Sequence, residues 1–142
     1  MRFLLLPFSW IYTFVIACRN GLYNYEVCKT HHVKKSIGIG NLSMGGTGKT
    51  PLTVYLTQWL IEHKKNVFIL SRGYKRTTKG EMEVKLQHES NEVGDEPLMY
   101  KKRFKENVRV LVSKNRWTGS QKARSEDSEA ILLFDDIFQH RI

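Results

Sequence analysis

The apolar positions fall into short runs divided by polar stretches, and the runs carry two different periods. Asn66-Val67-Phe68-Ile69-Leu70, Val108-Arg109-Val110-Leu111-Val112 and Ala130-Ile131-Leu132-Leu133-Phe134 are nearly continuous apolar runs of strand length. Such runs predict strands of a buried sheet. Lys35 to Gly40 predicts another short strand, rich in small residues, and Glu81 to Leu86 alternates weakly, as a strand or hairpin arm would. Between them the period lengthens. Leu52, Tyr55, Leu56, Trp59 and Leu60 fall at i, i+3, i+4, i+7 and i+8, which predicts a helix with that stripe as its apolar face, ending near His63-Lys64-Lys65. Pro97–Phe104 and Arg116–Arg124 also predict helices. Strands alternating with helices imply an α/β fold: a mainly parallel sheet flanked by helices and joined by right-handed crossovers. No stretch is long or low in complexity enough to be a linker.

The first residues follow neither pattern. Phe3 to Cys18 is a run of sixteen residues without a charge, set between Arg2 and Arg19. As a helix it would reach about 24 Å, short against a bilayer core of about 30 Å, and Pro7 and Ser9 interrupt it near its start. Three readings stay open. Trp10 and Tyr12, with Arg2, Arg19, Lys29, Lys34 and Lys35, suit a helix lying in a membrane interface. Val15-Ile16-Ala17-Cys18 resembles a lipoprotein cleavage box. A helix packed on its own domain or on a partner chain is the third.

Composition narrows the class. The 142 residues suffice for one ordinary domain, and 41% apolar with 26% charged residues is a globular balance. A disordered chain, a collagen-like repeat and a multi-span membrane protein are excluded. The net charge of +9 draws the chain toward something anionic: nucleic acid, a phosphorylated ligand or an acidic membrane face. Cys18 and Cys28 have no metal-ligand spacing, which argues against a zinc site or a disulfide scaffold.

The chemistry concentrates after the first predicted strand of the globular part. Asn41-Leu42-Ser43-Met44-Gly45-Gly46-Thr47-Gly48-Lys49-Thr50 leads from that strand into a helix, the setting that a phosphate-binding loop requires. Glycines let backbone N–H groups turn inward around phosphate oxygens, and the helix N-terminus adds its positive dipole end. Ser43, Met44, Gly45, Gly46, Thr47, Gly48, Lys49 and Thr50 are therefore the candidate nucleotide-binding residues. Lys49 would reach the β- and γ-phosphates of ATP, and the Thr50 hydroxyl would bind Mg²⁺. Ser43 stands where the strict motif has glycine. A nucleotide-dependent enzyme has no use for export, so this loop weakens the lipoprotein reading.

Four apolar residues running into Asp135-Asp136 have the form of the acidic strand that accompanies such a loop, with a carboxylate beside the metal. In Gly94-Asp95-Glu96-Pro97, Asp95 is a candidate to accept the proton of an acceptor hydroxyl; its plain alternative is a helix start. Arg72, Lys75, Arg76 and Lys79 follow a strand and could clamp phosphates, or form a solvated loop. Lys101-Lys102-Arg103-Phe104-Lys105 reads as an exposed helix face or a membrane-facing patch. No helix-turn-helix, zinc-finger or aromatic RNA-binding signature accompanies the charge, so nucleic acid is not expected as a partner.

These motifs together resemble the tetraacyldisaccharide 4'-kinase family, the lipid A 4'-kinases of Gram-negative bacteria. The resemblance runs from Leu6-Pro7-Phe8-Ser9-Trp10-Ile11-Tyr12, Arg19-Asn20 and Leu22-Tyr23 through the residue 40–51 loop. It continues in Ser71-Arg72-Gly73-Tyr74 with Arg76, in Val93-Gly94-Asp95-Glu96-Pro97, and in Asp135-Asp136 with Phe138-Gln139-His140-Arg141. In that family Ser or Thr regularly stands at the Ser43 position. Lys75 and Ile137 stand where it usually has small residues.

The resemblance implies a P-loop NTPase-like core over residues 35–142 after a membrane-associated segment over 1–34. It implies transfer of the γ-phosphate of ATP, with Mg²⁺, to the 4'-hydroxyl of an acylated glucosamine disaccharide 1-phosphate. Lys49, Asp95 and Asp136 match catalytic positions, Asp95 as base; Thr50, Glu96 and Asp135 match positions at the metal; Gln139 and His140 match positions near the active site. It places the protein at the anionic cytoplasmic face of the bacterial inner membrane, peripheral or monotopic. The family's chains run well past the Phe-Gln-His motif, so this chain is expected to be a truncated, N-terminal portion. A closing subdomain and a histidine that pairs with the base would lie beyond it. The rival expectations are an inactive nucleotide-binding fragment of the family and an ATPase with a deviant phosphate loop.

Overall fold

The computed structural model describes residues 6–24, 32–41 and 48–137. The chain divides into two compact units, Met1–His32 and Val33–Ile142.

In the first unit, helix α1 spans Leu6–Asn24. It runs through Pro7 and Ser9, which the sequence reading took as an interruption. Pro7 falls in the first turn, where a missing N–H removes no helical bond. Trp10, Ile11, Tyr12 and Phe14 are all well exposed, and the Thr13 hydroxyl donates to the Ser9 carbonyl at 2.8 Å. Among the described residues no helix is long and apolar enough to cross a membrane.

The second unit is a five-stranded sheet with helices on both faces. Its elements are β1 (Ser36–Ile39), α2 (Lys49–Glu62), β2 (Val67–Ser71), β3 (Met82–Glu83), α3 (Ser90–Val93), α4 (Asp95–Phe104), β4 (Arg109–Val112), α5 (Arg116–Glu126) and β5 (Ile131–Asp135). The strand order is β1-β5-β2-β4-β3. β1, β5, β2 and β4 pair in parallel, and short β3 pairs antiparallel with β4. Alternation along β2 splits the core between two faces. Val67 and Ile69 join Leu60, Leu98, Tyr100, Phe104, Val110 and Leu133 on one side. Phe68 and Leu70 join Leu111, Ala123, Leu132 and Phe134 on the other.

Two expectations about faces are corrected. The buried face of α2 is Thr53, Thr57 and Leu60, while Leu52, Tyr55 and Trp59 of the apolar stripe stand exposed. The Thr53 hydroxyl bonds to the Lys49 carbonyl at 3.0 Å and the Thr57 hydroxyl to the Thr53 carbonyl at 2.6 Å. With their hydroxyls satisfied by the helix itself, these short side chains bury at little polar cost. Lys101 is the second correction. It is 5% exposed, not part of a solvated face, and its ammonium donates to the Lys105 carbonyl at 2.9 Å and pairs with Glu106 at 3.3 Å. Phe104 of the same run lies in the core.

Candidate active site

The ends of the parallel strands β1 and β5 meet the start of α2. β1 ends at Ile39, and Gly48, at φ 82°, caps α2 in a left-handed conformation suited to glycine. Ser43, Met44, Gly45, Gly46 and Thr47 lie outside the described residues, as do Gln139 and His140. Lys49 and Thr50 open the helix. β5 ends at Asp135, which is 2% exposed, and Asp136 follows with φ 57°. Ile137 is tied back by its N–H to the Ile39 carbonyl at 3.1 Å. Its bulk fits because position 38 is glycine: a Cβ there would lie 2.8 Å from the Ile137 side chain.

The loop after β2 and the start of α4 are joined through two glycines. Gly73 has φ 66° and Gly94 has φ 97°, and a Cβ on Gly94 would lie 3.1 Å from the Gly73 Cα. A capping box between Glu89 and Glu92 starts α3, which ends at Gly94, and α4 then begins at Asp95. Lys75 adopts φ 60°, a conformation glycine takes readily, with its ammonium 5.5 Å from the Tyr74 ring centroid. Arg76 does not project as a phosphate clamp. It packs on Gly73 and donates to the Gly80 carbonyl at 2.6 Å, pinning its own loop.

These elements bring most of the described candidate residues together. Lys49 Nζ meets Asp136 Oδ1 at 2.6 Å. The Thr50 hydroxyl donates to Glu96 Oε1 at 3.0 Å. The Tyr100 hydroxyl donates to Asp135 Oδ2 at 3.1 Å. Buried Arg116 donates to the main-chain carbonyls of Leu70, at 3.2 Å, and Asp135, at 2.5 Å. Asp95 stands apart from this network. It is exposed, and among the described residues its carboxylate makes no hydrogen bond. It lines a cavity of about 850 Å³ with His88, Leu98, Met99, Lys102 and Arg103.

The electrostatics follow from burial and crowding. Burial, reinforced by the Glu96 charge, raises the Asp135 pKa above the usual carboxylate value. The hydrogen bond to Asp136 holds the Lys49 ammonium more firmly charged than a free lysine. Burial pulls the Arg116 guanidinium down to about 10. Three carboxylates thus gather at one edge of the sheet beside a hydroxyl. Such hard oxygen donors suit a small divalent cation that keeps some of its water. Among the described residues no group of three acidic, histidine or cysteine side chains could by itself hold a metal ion, so the phosphates and water would have to complete any such site.

Tyr100 and Arg116 were not singled out in the sequence. One signal existed: Tyr100 follows Glu96 by four residues and so shares its face of α4. No local signal marks Arg116, whose partners lie 46 and 19 residues away.

Known proteins are similar to this one over nearly the whole chain. The family model for tetraacyldisaccharide-1-P 4'-kinase matches residues 1–142. The tetraacyldisaccharide 4'-kinase of Flavobacterium psychrophilum is 39% identical over 143 residues, covering 99% of this chain and 41% of that protein. That of Bacteroides thetaiotaomicron is 41% identical over 144 residues, covering 96% and 36% respectively. A crystal structure of LpxK from Aquifex aeolicus in complex with ATP superposes with a TM-score of 0.80 at 40% identity, over 96% of this chain and 44% of that one. The chain thus spans about two fifths of the length of these relatives.

Proposed function

Because the chain belongs to the tetraacyldisaccharide-1-P 4'-kinase family, we propose that it forms the ATP-handling part of a lipid A 4'-kinase. The reaction passes the γ-phosphate of ATP to the 4'-hydroxyl of tetraacyldisaccharide 1-phosphate. One observation carries the reading. The Lys49–Asp136 and Thr50–Glu96 contacts draw the phosphate-loop helix, the acidic end of β5 and the start of α4 to one point at the C-terminal edge of a parallel sheet. That edge is where open α/β sheets bind their ligands.

The P-loop reading of residues 43–50 gives each residue its task. Backbone N–H groups of the loop and the α2 N-terminus bind phosphate oxygens, and Lys49 holds the β- and γ-phosphates. Thr50, Glu96 and Asp135 supply oxygens for Mg²⁺, which neutralises charge on the phosphates when bound. Asp136 keeps the Lys49 ammonium charged and aimed into the site. Asp95 takes the proton of the acceptor hydroxyl, reached through the cavity beside it, where Lys102 and Arg103 face an anionic substrate. The exposed aromatic residues of α1 support association with the anionic cytoplasmic face of the inner membrane, where an acylated sugar substrate would be met. A second reading is a nucleotide-binding member of the family that does not transfer the phosphate.

Two measurements test these readings. Calorimetry of this chain should show ATP binding that tightens with Mg²⁺. A protein of the relatives' full length that begins with this chain should transfer label from γ-labelled ATP to the 4'-position of the lipid disaccharide. Absence of ATP binding sinks both readings. ATP binding by the chain without transfer by the longer protein leaves the nucleotide-binding reading alone.

A further inference from the structure

Asp135 carries a carboxylate almost sealed from solvent, and such a group needs a partner that also sets its orientation. Arg116 does not fill that role, because its donors go to main-chain carbonyls. The partner is Tyr100. Its ring is fully buried in the core beneath the site, on the same face of α4 as Glu96. Its hydroxyl donates its single proton to Oδ2 of Asp135 at 3.1 Å. The Thr53 and Thr50 hydroxyls stand beside that phenol. A carboxylate with one oxygen held this way resists the rotation that exchanges its two oxygens, so Oδ1 keeps one orientation.

We propose that Tyr100 is a positioning residue that fixes the Asp135 carboxylate for a divalent cation bound with the nucleotide. The inference rests on the proposed metal role of Asp135. A purely structural tyrosine would need only some partner for its hydroxyl. A positioning one makes metal affinity depend on that hydroxyl.

The test is calorimetry of ATP binding across a series of Mg²⁺ concentrations, on the chain as it is and on Tyr100→Phe, Asp135→Asn and the double variant. Tyr100→Phe keeps the ring and loses the proton. It should raise the Mg²⁺ concentration needed for half-maximal tightening by about 3- to 10-fold, the range for the net worth of one typical hydrogen bond. Metal-free ATP affinity should stay at the parent value, and the double variant should be no worse than Asp135→Asn alone. Parent-like Mg²⁺ dependence in Tyr100→Phe, with that dependence lost in Asp135→Asn, overturns the positioning role while leaving the metal role of Asp135 intact. Parent-like dependence in Asp135→Asn itself overturns the metal role and this inference with it. Should Tyr100→Phe fail to melt cooperatively, Tyr100→Met, which also lacks the proton, is read by the same criterion.

Discussion

Lys49 and Asp136 lie 87 residues apart in the chain and meet at 2.6 Å, Nζ to Oδ1. The contact closes β5 onto the start of α2, two elements that have no other reason in the sequence to share a charge pair. Both side chains keep access to solvent, at 24% and 47% exposure, so the pair is worth little as a fold-holding bridge. Its value lies in position. Asp136 keeps the ammonium aimed into the space between the two elements, and an incoming phosphate can replace or share that partner.

Replacing Lys49 by Ala should therefore weaken Mg-ATP binding at least about 10-fold while leaving the melting temperature nearly unchanged. Calorimetry and thermal denaturation read the two effects separately. The Asp136 hydrogen bond raises the Lys49 pKa. A raised lysine contributes its stabilisation fully below the unfolded value of about 10.4 and loses it only as pH rises through the higher folded value. Between pH 6 and 9 the lysine should thus add no slope to ATP affinity. Equal affinity in parent and variant would remove Lys49 from the nucleotide site.

Asp95 and Asp135 should separate when each is changed to Asn. Asp95 is exposed and outside the charged network, so Asp95→Asn should spare ATP binding by this chain. In a protein of the relatives' full length it should lower 4'-phosphorylation by about 10²- to 10⁴-fold, the usual contribution of a general base. Asp135→Asn should harm both ATP binding and turnover. Undiminished turnover in Asp95→Asn would leave that residue only its place at the start of α4.

Acid stability should be governed in part by Glu83. Arg109 forks onto it, Nε to Oε1 at 2.8 Å and Nη2 to Oε2 at 2.7 Å, and also pairs with Glu126, tying β3, β4 and α5 together. The hydrogen bond from Arg109 lowers the Glu83 pKa. A depressed carboxylate stabilises the fold above its unfolded value of about 4.3 and loses that contribution as pH falls through the folded value. Glu83→Gln should lower the melting temperature at pH 7 and flatten its decline below about pH 4.5. Identical pH profiles for the two proteins would show that the fork contributes nothing.

Deleting residues 1–20 should reduce co-sedimentation with anionic liposomes. Added salt should reduce it only in part, since the exposed aromatic face of α1 binds without charge while the lysines and arginines do not. Full and shortened chains that sediment equally would assign membrane binding elsewhere or nowhere.

What the sequence determined by itself is what local pattern controls. The apolar runs of β2, β4 and β5 are continuous because both faces of those strands are covered, and they read as strands without help. Gly48-Lys49-Thr50 before a helix is legible because glycine conformation and helix-end chemistry act within a few residues. The tertiary structure decided which faces are used and which polar groups can be buried. The stripe of Leu52, Tyr55 and Trp59 lost the core to Thr53 and Thr57, whose hydroxyls are satisfied inside the helix. Lys101 left a basic run for the interior because a carbonyl and Glu106 receive its ammonium. Arg76 turned back to the Gly80 carbonyl. Tyr100, Arg116 and Asp135 are polar residues that would be costly to bury alone. Partners from α4, α5 and the ends of β2 and β5 make their burial possible, and only the packed sheet brings those partners within hydrogen-bond distance.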